Sequence, residues 1–300
     1  MTLLTRPEGH EPQDLNLSRR GLAGLMFAGY TLAAGPLRAD PIITDAHGLF
    51  TAAVEVPSHG FHMPAYLAMP TDARHRPVVL VVSEIFGLHE YIRDVCRRLA
   101  KLGYVAIAPD LFARAGNPAP MTMEQIPQIM KIVATADDAQ VMGDLDATLD
   151  FLGSRPKLGQ PHRDFADLKR VGVTGFCWGG GVVWMAMAEV KRVKTGVAWY
   201  GRLAAPSPRP PERRKYPLEL VDQIHGPVLG LYAGQDRGIP ISDVDAMRNA
   251  LKAKGDHVSE LIVYPDAQHG FHADYRAPTY NVADATDGWG RLTAWFAAHL

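Results

Sequence analysis

The segment Val171-Gly172-Val173-Thr174 runs directly into Gly175-Phe176-Cys177-Trp178-Gly179-Gly180-Gly181, and this junction constrains the fold more than any other part of the chain. An apolar run that meets a glycine-rich turn and continues as an apolar, helix-forming segment reads as strand, sharp turn, helix. The turn carries a reactive side chain, Cys177, in the serine position of a G-x-S-x-G nucleophile elbow. Bulky neighbours on so tight a turn would clash with the next strand and helix, which accounts for the flanking glycines. The helix N-terminus behind the turn offers free N–H groups that favour a thiolate and any oxyanion formed beside it.

The rest of the chain alternates in the same way. Strands are expected near 64–69, 77–83, 104–108, 170–174, 195–200, 227–232 and 258–264, with helices near 89–102, 121–154, 179–190, 242–254 and 281–299. This alternation predicts an α/β class with a mostly parallel sheet covered by helices on both faces. At 300 residues it suits one domain. The formal net charge of −1, with no basic stripe, argues against a nucleic-acid partner. The segment Pro206-Ser207-Pro208-Arg209-Pro210-Pro211 is too proline-rich for a helix or central strand and is expected as a surface loop near the site.

Two further segments supply partners for Cys177. The apolar run Val228–Tyr232 ends in Ala233-Gly234-Gln235-Asp236, and Leu261–Tyr264 runs into Pro265-Asp266-Ala267-Gln268-His269. Nucleophile, acid and histidine, in that chain order and each at the end of its own strand, are the triad order of the α/β-hydrolase fold. Cys177, Asp236 and His269 are therefore the expected catalytic group. The twelve histidines give no metal site: His59/His62 and His269/His272 lie outside any helical H-E-x-x-H context and away from clustered cysteines. No phosphate-binding glycine loop appears: Gly179-Gly180-Gly181 follows the candidate nucleophile and lacks a P-loop lysine. Of the two cysteines, Cys96 falls in a helical pattern and reads as a small buried hydrophobe, with no disulfide to Cys177.

The strand Val78–Val82 ends in Ser83-Glu84-Ile85-Phe86-Gly87-Leu88. With Ala108-Pro109-Asp110-Leu111-Phe112-Ala113-Arg114 and the cysteine elbow, this resembles the dienelactone hydrolase family from about residue 61 to the C-terminus. The resemblance implies an α/β-hydrolase domain over 61–300 that cleaves a small ester or lactone through a cysteine acyl-enzyme, with water as second substrate and no cofactor. It assigns Glu84 to generating the thiolate when substrate arrives, from a resting neutral thiol. Trp178 and Ile85 would supply the backbone N–H groups of an oxyanion hole. Family members that bind dienelactone grip its carboxylate with arginines, one of them four residues after the triad histidine; that position is Ala273 here. Arg276 is a displaced substitute, and Lys131 is the only cation in the stretch where a second arginine is expected. Arg114 is either a substrate contact or a structural ion pair, and Trp199 and Tyr200 either line the acyl pocket or belong to the core. The alternatives are a general carboxylesterase or thioesterase, or a non-catalytic periplasmic binding protein on the same scaffold.

Ahead of this domain, Ser18-Arg19-Arg20-Gly21-Leu22 opens an apolar run to Ala34, followed by Pro36-Leu37-Arg38-Ala39-Asp40 with a small-residue site ending at Ala39. Paired arginines before a short apolar stretch read as a twin-arginine export signal over 1–39, with 40–60 as linker or N-terminal extension. The run is too short for a membrane span of about 20 residues. The expectation is engagement of the export machinery, a periplasmic location, and no stable membrane association after export.

Overall fold

In a computed structural model of the chain, described for residues 42–209 and 214–300, one eight-stranded sheet carries the fold. The elements in chain order are β1 (Leu49–Ser58), β2 (Phe61–Pro70), β3 (Arg76–Val82), α1 (Glu90–Lys101), β4 (Val105–Pro109), α2 (Ile126–Val133), α3 (Asp138–Gly153), β5 (Ala166–Phe176) and α4 (Trp178–Glu189). They continue with β6 (Thr195–Trp199), β7 (Val228–Ala233), α5 (Ile241–Ala253), β8 (Glu260–Tyr264) and α6 (Val282–His299). The strand order is β1-β2-β4-β3-β5-β6-β7-β8. β1 and β2 are antiparallel, and β4-β3-β5-β6-β7-β8 form a continuous parallel set. β4, β6 and β7 are buried along their whole length, as parallel strands covered by helices must be, and their sequences are correspondingly apolar.

This order locates the site. From β3 the chain crosses to β4 on one side and later returns as β5 on the other side of β3. Connections that leave neighbouring parallel strands in opposite directions open a crevice at the strands' carboxyl ends. Glu84 follows β3 and Cys177 follows β5, so both flank that crevice.

Two expectations are corrected. Residues 49–58, within the expected linker or extension, form the edge strand β1. Val54, Val56 and Ser58 point inward while Glu55 and Pro57 are exposed. The hairpin to β2 turns through His59 (φ 49°) and Gly60 (φ 77°), a two-residue turn of the handedness that suits twisted antiparallel strands. The expected single helix over 121–154 is two helices separated at Ala134–Asp137. The Asp137 carboxylate accepts the Gln140 N–H at 2.8 Å and starts α3 as its N-cap. Pro206–Arg209 are irregular, and Arg209 pairs with Glu219 and covers the Tyr216 ring.

The chain ahead of β1 is fastened to α1. The Thr44 N–H donates to buried Asp94, Arg97 Nε donates to the Thr44 carbonyl at 2.8 Å, and Lys101 reaches Asp45 at 2.9 Å. Arg98 extends the network from Asp94 (2.5 Å) to Asp274 (2.6 Å) in the loop after β8. Among the described residues, no helix is long and apolar enough to cross a membrane. The proposed signal over 1–39 lies outside the described residues.

Candidate active site

Cys177 joins β5 to α4 with φ 55° and ψ −116°, a conformation that L-residues rarely adopt. Its N–H donates to the Trp199 carbonyl at 3.0 Å, and its carbonyl accepts from Gly180 at 3.0 Å. The glycines around it are required by close backbone approach. A Cβ on Gly175 would lie 2.3 Å from the Gly179 carbonyl oxygen. A Cβ on Gly179 would lie 2.5 Å and 2.6 Å from the carbonyl oxygens of Val82 and Ser83. The first turn of α4 thus sits directly against the end of β3. This brings the Glu84–Ile85 turn opposite Trp178, the residue that opens α4 and whose N–H has no intrahelical acceptor.

His269 and Asp236 meet at the ends of their strands. His269 Nδ1 lies 2.6 Å from Asp236 Oδ2, both side chains essentially inaccessible to solvent. Asp236 Oδ1 accepts the backbone N–H groups of Gly238 (2.8 Å) and Ile239 (3.2 Å), which fix the carboxylate and hence the imidazole plane. Burial opposes charge on His269, but the Asp236 carboxylate and the adjoining Cys177 outweigh it and raise its pKa to about 10. The ring of Tyr200 stands edge-on to His269 at 5.1 Å. Cys177, His269 and Asp236 are therefore brought together in the order expected from the sequence.

Glu84 is completely buried and surrounded by groups that the sequence analysis had not connected to it. Its Oε2 accepts the Tyr275 hydroxyl and lies 3.4 Å from His89 Nε2, while Oε1 faces Arg276 Nη1 at 3.6 Å. Burial pushes the carboxyl up, but contact with His89, the Arg276 charge and the Tyr275 hydroxyl bring it below the usual range. Arg276 itself is 1% exposed. It reaches the site because Gly270, at φ 82°, leaves room where a Cβ would come within 2.8 Å of Nη1. Gly270 N-terminal to Ala273, and Ala273 N-terminal to Arg276, form successive turns that carry Arg276 inward.

Two tentative substrate residues are placed elsewhere. Arg114 forms a two-pronged pair with buried Asp144 at 2.6 and 2.8 Å and donates to the Ser58 carbonyl at 3.1 Å, so its donors are committed to holding the β1–β2 hairpin. Trp199 is fully buried, with its indole N–H 3.2 Å from Thr174 Oγ1 and its ring against Phe176 and His272. It is core. His272 is core as well: Nδ1 meets the Tyr91 hydroxyl at 2.6 Å, and burial drops its pKa to about 3. Lys131 is exposed on α2. Among the described residues, no group of three or more His, Cys, Asp or Glu side chains is arranged to hold a metal ion.

The sheet, its switch point and the elbow with residues at three strand ends define an α/β-hydrolase fold. The chain matches the dienelactone hydrolase family over residues 63–300, and it belongs to that family. It is 46% identical over 283 residues to a Methylorubrum extorquens protein named "Putative carboxymethylenebutenolidase", covering 93% of this chain and 92% of that one. An Escherichia coli protein of the same name is 42% identical over 277 residues, with coverage of 92% and 97%. The crystal structure of a "Putative Dienelactone Hydrolase" from Klebsiella pneumoniae superposes with a TM-score of 0.75 at 43% identity, covering 83% of this chain and 98% of that one. The chain is thus a hydrolase of the lactone and ester type, acting on small molecules.

Proposed function

We propose that the protein cleaves a small ester or lactone through attack by Cys177 and an acyl-enzyme intermediate. The observation that carries this reading is the 2.6 Å His269–Asp236 pair beside a cysteine held on a positive-φ elbow. On this reading the thiol proton passes to Glu84 and the thiolate attacks the carbonyl carbon. The developing oxyanion is met by the N–H groups of Trp178 and Ile85, and each such donor typically contributes about 3–4 kcal/mol to the transition state. Collapse breaks the ester bond, and the leaving oxygen takes a proton from the His269 imidazolium. Neutral His269 then accepts a proton from the attacking water. Expulsion of thiolate releases the acid, and Cys177 recovers its proton from Glu84. Asp236 keeps the imidazole in one tautomer throughout.

Substrate preference rests on Arg276, since Arg114 is committed to Asp144 and Ala273 occupies the position of the family's arginine. Hydrolysis of a dienelactone beside a neutral aryl ester, by wild type and Cys177→Ala, tests the reading. Turnover abolished in Cys177→Ala supports it; turnover retained refutes it. Preference for the anionic lactone would assign Arg276 to its carboxylate, whereas turnover of the neutral ester alone would favour a carboxylesterase or thioesterase of broader range. Binding of either compound without turnover by wild type would favour the binding-protein alternative. We also propose export through the twin-arginine segment, tested by fractionating cells that express Arg19→Lys/Arg20→Lys; periplasmic accumulation unchanged in that variant would overturn it.

A further inference from the structure

The two oxygens of Glu84 have different surroundings. Oε2 takes the Tyr275 hydroxyl and has His89 Nε2 at 3.4 Å. Oε1 is buried and accepts no hydrogen bond among the described residues, its nearest charged neighbour being Arg276 Nη1 at 3.6 Å. We propose that Tyr275 and His89 are positioning residues that hold Glu84 by Oε2 and so leave Oε1 as the atom that receives the Cys177 proton. The proposal rests on the cysteine-hydrolase reading and adds two residues to it.

Each partner is suited to this task. Tyr275 is buried, and burial together with the Glu84 charge keeps its hydroxyl protonated far above neutrality, so it remains a donor whenever Glu84 is an anion. His89 precedes α1 and is wedged edge-on against Tyr275 at 4.8 Å and against Phe86 at 6.3 Å. Its ring is thus fixed by the two segments that flank Glu84. The groups bearing on the carboxylate are His89 before α1 and Tyr91 within it, Tyr275 and Arg276 from the loop after β8, and Tyr200 after β6. Tyr275 and His89 meet the carboxylate at Oε2, and Arg276 meets it at Oε1. The proton transfer breaks the S–H bond, forms O–H on Oε1 and leaves the Tyr275 hydrogen bond in place, so the carboxyl need not rotate between steps.

The test is the pH profile of kcat/KM for phenyl acetate from about pH 4 to 9, with Cys177→Ala as blank. Loss of a charge-assisted hydrogen bond in Tyr275→Phe should move the acidic limb upward by about one to two pH units. His89→Asn should move it in the same direction by less, and being half-buried at the head of α1 it carries the test if Tyr275→Phe fails to fold. Glu84→Gln should lose the limb, and adding Tyr275→Phe to it should change nothing further. A uniform rate loss with an unmoved limb in both Tyr275→Phe and His89→Asn would overturn the positioning role. A limb that still shifts in the Glu84→Gln background would assign it to another group and overturn it too. Turnover that survives Cys177→Ala would remove the underlying reading, and the proposal with it.

Discussion

Gly179→Ala is the sharpest single perturbation of the elbow. The added methyl carbon would sit 2.5 Å from the Val82 carbonyl oxygen and 2.6 Å from that of Ser83. The closest tolerable carbon–oxygen contact is about 3.3 Å, so either α4 or the end of β3 must retreat by about 0.8 Å. Both are buried backbone at the centre of the fold, and such overpacking costs about 1–3 kcal/mol. Alanine returns at most about 1 kcal/mol of helix propensity over glycine, so destabilisation wins. The retreat would also separate Trp178 from Ile85, the two N–H donors of the proposed oxyanion hole, and a displacement of about 1 Å in such a site typically lowers the rate by about a hundredfold. Thermal unfolding and kcat for an aryl ester are measured together. Gly290→Ala is the control: Gly290 is exposed in α6, with nothing within 4 Å of an added Cβ, and should gain about 0.5–1 kcal/mol. A folded Gly179→Ala with wild-type melting temperature and kcat would refute the claim that this approach sets the elbow.

Cys177→Ser should keep the fold and lose most of its turnover, because in the proposed mechanism Glu84 and His269 serve a thiol; an unchanged rate in a folded variant would count against the proposed activation. Arg114→Ala should cost about 3 kcal/mol in urea unfolding, since it strands the buried Asp144 carboxylate, while leaving KM for an anionic lactone unchanged. A raised KM with full stability would restore Arg114 to the substrate site. His272 has its pKa depressed to about 3, so the unfolded chain, near its ordinary value of about 6.5, binds a proton that the folded chain refuses. Stability should therefore be lost as pH falls from about 6.5 towards 3, with a slope approaching about 1.4 kcal/mol per pH unit from this residue. His272→Phe, examined by urea unfolding at several pH values, should flatten that slope, and an unaltered slope would refute the assignment.

The grouping of Cys177, Asp236 and His269 was legible because local chemistry imposes it: Cys177 needs a glycine-lined turn, and Asp236 and His269 sit on loops that follow apolar strands directly. The surroundings of Glu84 were not, since Tyr275 and Arg276 reach it across 191 and 192 positions of chain through the turns after Gly270. His89, five residues after Glu84 in the same run, was the one visible clue. β1 escaped notice because its first four residues are all half-buried and do not alternate, and its turn is His-Gly rather than the commoner Asn-Gly. The break at Ala134–Asp137 was marked only by the capping aspartate, since the apolar spacing on either side is compatible with one helix. Trp199 stands at a strand end in sequence, yet its ring turns into the core, a direction that strand position alone does not determine.

Cys96 and Cys177 are both free and both buried, but they are unequal as reagents. Cys96 lies within α1, and burial pushes its thiol far above the usual range, so it contributes almost no thiolate. If Cys177 is the nucleophile as proposed, a single modification per chain by an alkylating agent would count working sites directly. The same inequality has a redox consequence. If peroxide converts Cys177 to a sulfenate, the chain offers no second reactive thiol to capture it as a disulfide, and recovery depends on a small thiol from outside before further oxidation to the irreversible sulfinate.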